Sequence, residues 1–317
     1  MEDGLWEDTD KRSAFFKTEK WELIFEPCKL EAKDVLISRF GGGPLIGTYT
    51  LNSLDSSIQD PEFVKNIKEK WDQALAVNPR LKPGLKFRLE KYPDVEFWYS
   101  PPPSEEFGPP KKVKLSMGIT DYGVFVATNS AAKQNPEYAQ YLIEGGKRLF
   151  NNPYALFASP IGNCAIVESS DNKIALIKRS MGVHEYTGFY DTPGGHAEPL
   201  KHGFNSKDHF RAIKDEVSEE IKIPVESIEE AYFIGMCVNL ENFRKPDMLF
   251  YLRTGLHSEK MDPNEEVSRL EKLTRDELFE KWKNRNYNIV PPSEALLVAY
   301  FNQQKGYDLS FVKRLWI

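Results

Sequence analysis

The alternation of apolar and polar residues divides the chain into short strand-like runs separated by a few amphipathic helices. "WELIFEP" (21–27) and "DVLISRF" (34–40) have strand patterns, followed by a glycine turn at Gly41 to Gly43. Over 61–77 the period changes: Phe63, Ile67, Trp71 and Leu75 recur every four residues, as one helix face requires. "KFRLEKYPDVEFWYS" (86–100) and "KKVKLSMGITDY" (111–122) are strands around the proline-rich loop 101–110. A helix with Tyr138, Tyr141 and Leu142 on its apolar face fits 135–150 and leads into "NNPYALFASPIG", which marks the junction of two domains. Strands follow at 161–168, 173–179, 188–192, 231–240 and 247–256. Helices fit about 206–222, 274–284 and 292–304, the last with Ser293 as a candidate N-cap. Strands alternating with a few helices predict an α/β or α+β sandwich.

The helix at 206–222 carries the chemistry. Phe210, Ile213, Val217 and Ile221 form its apolar stripe. Glu216 and Glu220 flank that stripe one turn apart, with Glu219 on the far side of Glu216. Like charges at this spacing repel by roughly 0.2–0.5 kcal/mol per pair. A divalent cation would repay that cost, because hard cations take several carboxylate oxygens at one point. Pro224 ends the helix by Ile223, and Asn205 or Ser206 caps its start. Upstream, the Gly-Gly pair of "YDTPGGHAEP" (190–199) lets backbone approach a ligand closely. A solvated acidic helix behind a tight turn is the plain alternative. The glycine loop and the position of the acids on the buried edge favour a magnesium site working against a phosphate chain.

Composition narrows the class. The formal net charge is −6 and the basic residues are scattered, which argues against a nucleic-acid binder. Cys28, Cys164 and Cys237 lack any zinc or disulfide spacing and are expected as buried apolar residues in a reducing compartment. The acidic N-terminus has no signal-peptide layout, and its first 18 residues are expected to fray. The longest apolar run, Ala295 to Phe301, is far below the ~20 residues of a membrane helix. The expectation is a soluble protein of the cytoplasm, the nucleus not being distinguished from it, with small-molecule substrates and neither nucleic-acid nor membrane partners.

"GGHAEP…DEVSEEIKI" resembles the Nudix box, G-x5-E-x7-R-E-U-x-E-E-x-G-U, with U bulky and apolar. Gly195 matches the leading glycine, and residues 216–223 match the E-U-x-E-E-x-G-U portion. Six residues are inserted around "KHGFNSK"; Asp215 stands for Arg, Lys222 for Gly and Lys201 for the first Glu. "DTPGGHAEP", the lengthened loop and the missing Arg resemble the UDP-glucose pyrophosphatase branch of this superfamily. "KFRLEKY", "GITDYGVFVATN", "IALIKRS" and "VPPSEALLVAYFNQ" look like segments of that branch in the same order.

The resemblance implies a Nudix-type α/β/α sandwich with a mixed sheet over 153–317 and a smaller N-terminal α+β domain over 19–152. It implies hydrolysis of UDP-glucose or UDP-galactose to UMP and sugar 1-phosphate, with Mg2+ or Mn2+ as the metal. Another nucleoside diphosphate derivative such as ADP-ribose, or an inactive nucleotide-binding protein, are the alternatives. Carried onto this chain, Glu216 and Glu220 would hold the metal and Glu219 would be a weaker ligand or would position water. Glu216, Glu265 or Glu266 would take the proton of the attacking water. Arg179, Asp191, His196 and Glu198 are the expected contacts to diphosphate or sugar, with His184 and Ser293 as further candidates. Tyr122 is expected to stack on or hydrogen-bond the uracil. The usual arginine steadies a box glutamate, so Asp215 leaves that support to be found elsewhere.

Overall fold

The computed structural model describes residues 17–24, 27–39, 48–58, 60–89, 95–98, 111–182, 185–203 and 205–312. The expectations for residues 1–16, the Gly41 to Gly43 turn, the 101–110 loop and His184 fall outside these.

A mixed eight-stranded sheet runs in the order Trp21–Leu23, Ile228–Asn239, Lys245–Thr254, Gly162–Glu168, Ile174–Arg179, Val267–Leu273. Lys245–Thr254 and Gly162–Glu168 are parallel; the other neighbours are antiparallel. Every residue of Gly162–Glu168 is buried, as expected of a central strand covered on both faces. The helix Ser206–Ile221 covers one face, and the helices Arg275–Lys283 and Pro291–Asn302 cover the other. This is an α/β/α sandwich with a mixed sheet.

A second sheet of five strands is organised around Lys112–Asp121. Its buried residues Val35, Phe87, Leu115 and Met117 share one apolar cluster with Phe210, Ile213 and Val217. The glutamate helix is therefore enclosed between two sheets. Each such side chain taken from water contributes roughly 1.5–3 kcal/mol, so the helix is fixed by packing more than by propensity. A third cluster holds the helices Pro61–Val77 and Pro136–Phe150 together.

Helix boundaries follow local chemistry. Asp60 accepts from the backbone N–H groups of Glu62 and Phe63, with Pro61 at the first helical position. Asn135 and Pro136 repeat the device. The strand expected over 86–100 is two strands, Leu85–Leu89 and Val95–Trp98. Residues 122–134, not anticipated as helical, turn through Tyr122–Phe125, the π-helical Val126–Ser130 and Ala131–Gln134. Their β-branched residues and glycine are poor helix formers, and burial in the third cluster overrides that. Ser293 does not cap the last helix. That helix begins at Pro291 behind Val290, because the proline ring already holds helical φ.

Trp21–Leu23 precedes the smaller sheet in sequence yet pairs with Ile228–Asn239 of the larger one. Trp21 and Leu23 are fully buried there, and the Trp21 indole donates to Glu294 at 2.9 Å.

Candidate functional site

The tripeptide around Gly194–Gly195 is built to hold the glutamate helix. Gly194 and Gly195 pair with Cys164 and Asn163 at the start of the central strand. A Cβ on Gly194 would stand 2.1 Å from the Asn163 carbonyl oxygen, so only glycine lets the two backbones approach. A Cβ on Gly195 would stand 2.2 Å from Glu216 Oε2. The Gly194 N–H donates to Glu220 Oε2 at 2.8 Å. Both glutamates are thus seated against the glycine pair.

A cleft of about 780 Å³ opens at this point. Glu216, Glu219, Glu220, Tyr122, Arg179, Asp191, His196 and Glu198 all line it, as does Glu266 but not Glu265. Lys82, Lys86, Arg179, Lys201 and Lys245 surround the carboxylates with positive charge. Lys82, Lys86 and Tyr122 come from the smaller sheet and its borders, the remainder from the larger.

Burial sets the electrostatics. It raises the Glu216 carboxyl to about 7, with the Glu219 charge adding to the effect. Burial pushes Glu220 well above the usual carboxylate range, against the opposing pull of the Gly194 N–H and Arg179. Two desolvated carboxylates with no ion pair of their own among the described residues, offering oxygen donors side by side, suit a hard divalent cation. Among the described residues no three Asp, Glu, His or Cys side chains are gathered closely enough to hold an ion by themselves. Water and substrate phosphate would complete the coordination, as magnesium prefers.

Glu219 is exposed and ion-paired with Lys201 at 3.0 Å. The residue at the first-glutamate position of the box thus occupies Glu219 instead of joining it. Asp215, in the arginine position, meets His202 Nε2 at 3.2 Å. His202 belongs to the inserted segment and is fully buried; its Nδ1 accepts from the Glu198 N–H, which places the donor proton on Nε2. The insertion therefore supplies a new partner for the helix where the arginine is missing.

The remaining expected contacts divide. Arg179 donates to Asp191 at 2.8 Å and to the Glu185 carbonyl at 3.0 Å. Asp191 also accepts from the Ser293 hydroxyl at 2.5 Å and the Thr192 N–H at 2.9 Å, so it braces Arg179. Ser293 is buried behind it and outside the cleft lining. Glu198 receives Lys86 at 2.6 Å, joining the two sheets across the cleft. His196 is held neutral by burial and by the cations Lys245, Lys86 and Arg179, and its Nε2 has no partner among the described residues. The Tyr122 hydroxyl is pushed up to about 12 by burial and by Glu185.

Lys86, Asn163, Glu185, Asn239, Asn242, Lys245 and Asp247 were not anticipated from the sequence, although all line the cleft. The sole hint was the charged pair Lys245 and Asp247 opening a strand whose next residues, Met248 to Leu252, are apolar or aromatic.

No protein-family model matches the chain. It is 32% identical over 221 residues to Nudix hydrolase 9 of Arabidopsis thaliana, covering 63% of this chain and 66% of that protein. It is 25% identical to the uridine diphosphate glucose pyrophosphatase of Mus musculus, over 62% of this chain and 63% of the relative. Identity to the Homo sapiens protein of the same name is 26%, over 60% and 63%. The chain thus spans just under two thirds of the length of the curated relatives it matches. With its glycine-seated glutamate helix enclosed in an α/β/α sandwich, the chain belongs to the Nudix hydrolase superfamily.

Proposed function

We propose that this protein hydrolyses the diphosphate of a uridine diphosphate sugar, UDP-glucose or UDP-galactose, to UMP and the sugar 1-phosphate. The observation that carries the reading is the pairing of Glu216 and Glu220, seated on Gly194–Gly195, with the cations that line the same cleft. The likeness to proteins named uridine diphosphate glucose pyrophosphatase supports the choice of uridine and glucose.

Glu216 and Glu220 would hold a divalent metal, magnesium or manganese, which when bound neutralises diphosphate charge. Arg179, fixed by Asp191, presents its guanidinium to the diphosphate, and Lys86 approaches from the smaller sheet. Catalysis is then mostly positioning and charge stabilisation. Glu266 at the cleft edge or Glu216 takes the proton as water adds to phosphorus and the bridging P–O bond breaks. Tyr122 offers its ring to the base from the smaller sheet. The domain division at residues 152–153 belongs to the same proposal, with the cleft between the two parts.

The test is UDP-glucose hydrolysis with magnesium and again with EDTA, reading UMP and glucose 1-phosphate. Glu216→Gln should lower kcat/KM at least 100-fold. A variant as fast as the native protein would remove Glu216 from the reaction.

A further inference from the structure

The cleft has a floor that the diphosphate chemistry leaves unused. It is formed where two strands of the large sheet begin and end, by Asn239, Asn242, Lys245 and Asp247. None of the four is more than 6% exposed. Their donors are largely committed within the protein. Asn239 Nδ2 donates to the Tyr186 hydroxyl at 3.0 Å, and Asn242 Nδ2 donates to Glu185 Oε1 at 2.8 Å. Lys245 Nζ donates to Asp247 Oδ1 at 2.7 Å. Gly162 makes room for that ion pair, since a Cβ there would stand 1.9 Å from Asp247 Oδ1.

What is left over is acceptors. Asn239 Oδ1, Asn242 Oδ1 and Asp247 Oδ2 carry no hydrogen bond among the described residues. A buried acceptor without a donor is costly, and three together call for a ligand rich in donors. An ionised diphosphate has no O–H to give. Uracil has one N–H flanked by two carbonyls, which would face oxygen, and ribose brings two hydroxyls for three acceptors. A hexose has four free hydroxyls, each able to donate to an acceptor while accepting from Lys245. Charge agrees with this choice. Glu185, Asp191 and Asp247 outweigh Arg179 and Lys245, which discourages a second anionic group and accepts a neutral one. The floor also adjoins the diphosphate position, because Glu185 bonds Asn242 through its carboxylate and Arg179 through its carbonyl.

We propose that this floor is a subsite for the hydroxyls of the glycosyl group beyond the diphosphate. The proposal rests on the reading of the protein as a nucleotide-sugar hydrolase and adds the part of the substrate that is inspected for identity.

The experiment compares kcat/KM of the unaltered protein for UDP-glucose, its 3-, 4- and 6-deoxy counterparts, and the methyl ester of UDP, which keeps base, ribose and diphosphate. A hydroxyl that meets a buried acceptor should be worth roughly 10- to 100-fold when removed. At least one deoxy sugar should fall by that factor and the methyl ester by more. If every analogue stays within threefold of UDP-glucose, the proposal is overturned. Asn242→Ala and Asp247→Asn, verified as folded by thermal melting, should lower the ratio of UDP-glucose to methyl-ester hydrolysis at least tenfold. Equal losses on both substrates would place these groups at the nucleoside and also overturn it. If no diphosphate is hydrolysed, the proposed activity fails separately. Calorimetry of UDP-glucose against the methyl ester then decides the subsite, with tenfold tighter binding expected and equal affinities refuting it.

Discussion

Adjacent glycines at the site should respond to the same substitution in opposite ways. Neither Gly194 nor Gly195 has a positive φ, so alanine introduces no backbone strain at either, and the outcome depends on what the new methyl meets. At 194 it meets the Asn163 carbonyl oxygen at 2.1 Å and the Cys164 Cα at 2.8 Å, both backbone of the central strand. Neither can retreat without parting two hydrogen-bonded segments. Gly194→Ala should therefore cost about 3 kcal/mol, the upper end for overpacking a core. At 195 the methyl meets Glu216 Oε2 at 2.2 Å and Cδ at 2.6 Å, the far end of a flexible side chain. Glu216 must withdraw by about 1 Å to reach ordinary contact distance, and a misplacement of that size at a reacting centre costs about 100-fold. Gly195→Ala should keep its stability within about 1 kcal/mol while losing that factor in kcat/KM. Urea denaturation with UDP-glucose turnover and a magnesium titration separates the two. A Gly195→Ala protein with native activity and native metal affinity would refute the seating of Glu216 on this glycine.

Three further outcomes are expected. Lys222 ends the glutamate helix in the left-handed region, at φ 50 and ψ 46. Lys222→Gly should raise stability by about 1 kcal/mol and Tm by about 2 °C, and an unchanged or lower Tm would contradict the cost assigned to that conformation. His209 is buried beside Phe87, with neither ring nitrogen bonded among the described residues, and burial pushes it down to about 4. Its folded-state value lies below the unfolded one, so its neutral form favours the native state above pH 6.5. That advantage fades by about 1.4 kcal/mol per unit as pH falls from 6.5 towards 4. His209→Leu should flatten this part of the stability–pH curve; an identical slope would place the titration elsewhere. His202→Ala should cost about 1–3 kcal/mol by leaving Asp215 without its inner partner, and weaken manganese binding measured by electron paramagnetic resonance. Asp215→Ala made in the same protein should add little further loss.

The helix and its glycine loop were legible because each rests on local chemistry. The stripe of Phe210, Ile213, Val217 and Ile221 sets the face, Asn205 caps one end and Pro224 forces the other. Gly195 and Glu216 lie far apart in the chain; the loop and the helix were readable as one site from their residue types, and the resemblance matched the individual positions. What stayed hidden depends on strands paired over long separations. Lys86 reaches Glu198 because the smaller sheet lies over the helix, a packing that no periodicity encodes. Asn239 and Asn242 look like an ordinary turn after a strand; their neighbours on the floor come from the next strand. Ser293 illustrates the converse. The serine was noticed for its capping ability, yet proline had already supplied the helix start, and the hydroxyl is used to hold Asp191.

The first strand places a mechanical condition on the cleft. A body joined to its neighbour by a single linker can swing as on a hinge. Among the described residues the chain pairs first with the large sheet, leaves it after Leu30, builds the smaller sheet, and re-enters the large one at Gly162, just past Ile161, whose N–H bonds the Phe87 carbonyl of the smaller sheet. The smaller sheet is tethered at both ends, and one tether is zipped into the edge of the sheet it would have to leave. A wide opening would require unpairing Trp21–Leu23 and drawing a buried tryptophan into water. On the proposed activity, substrate entry is then expected to fall to side chains at the rim, such as the Lys201–Glu219 pair, with the cleft walls held at their spacing.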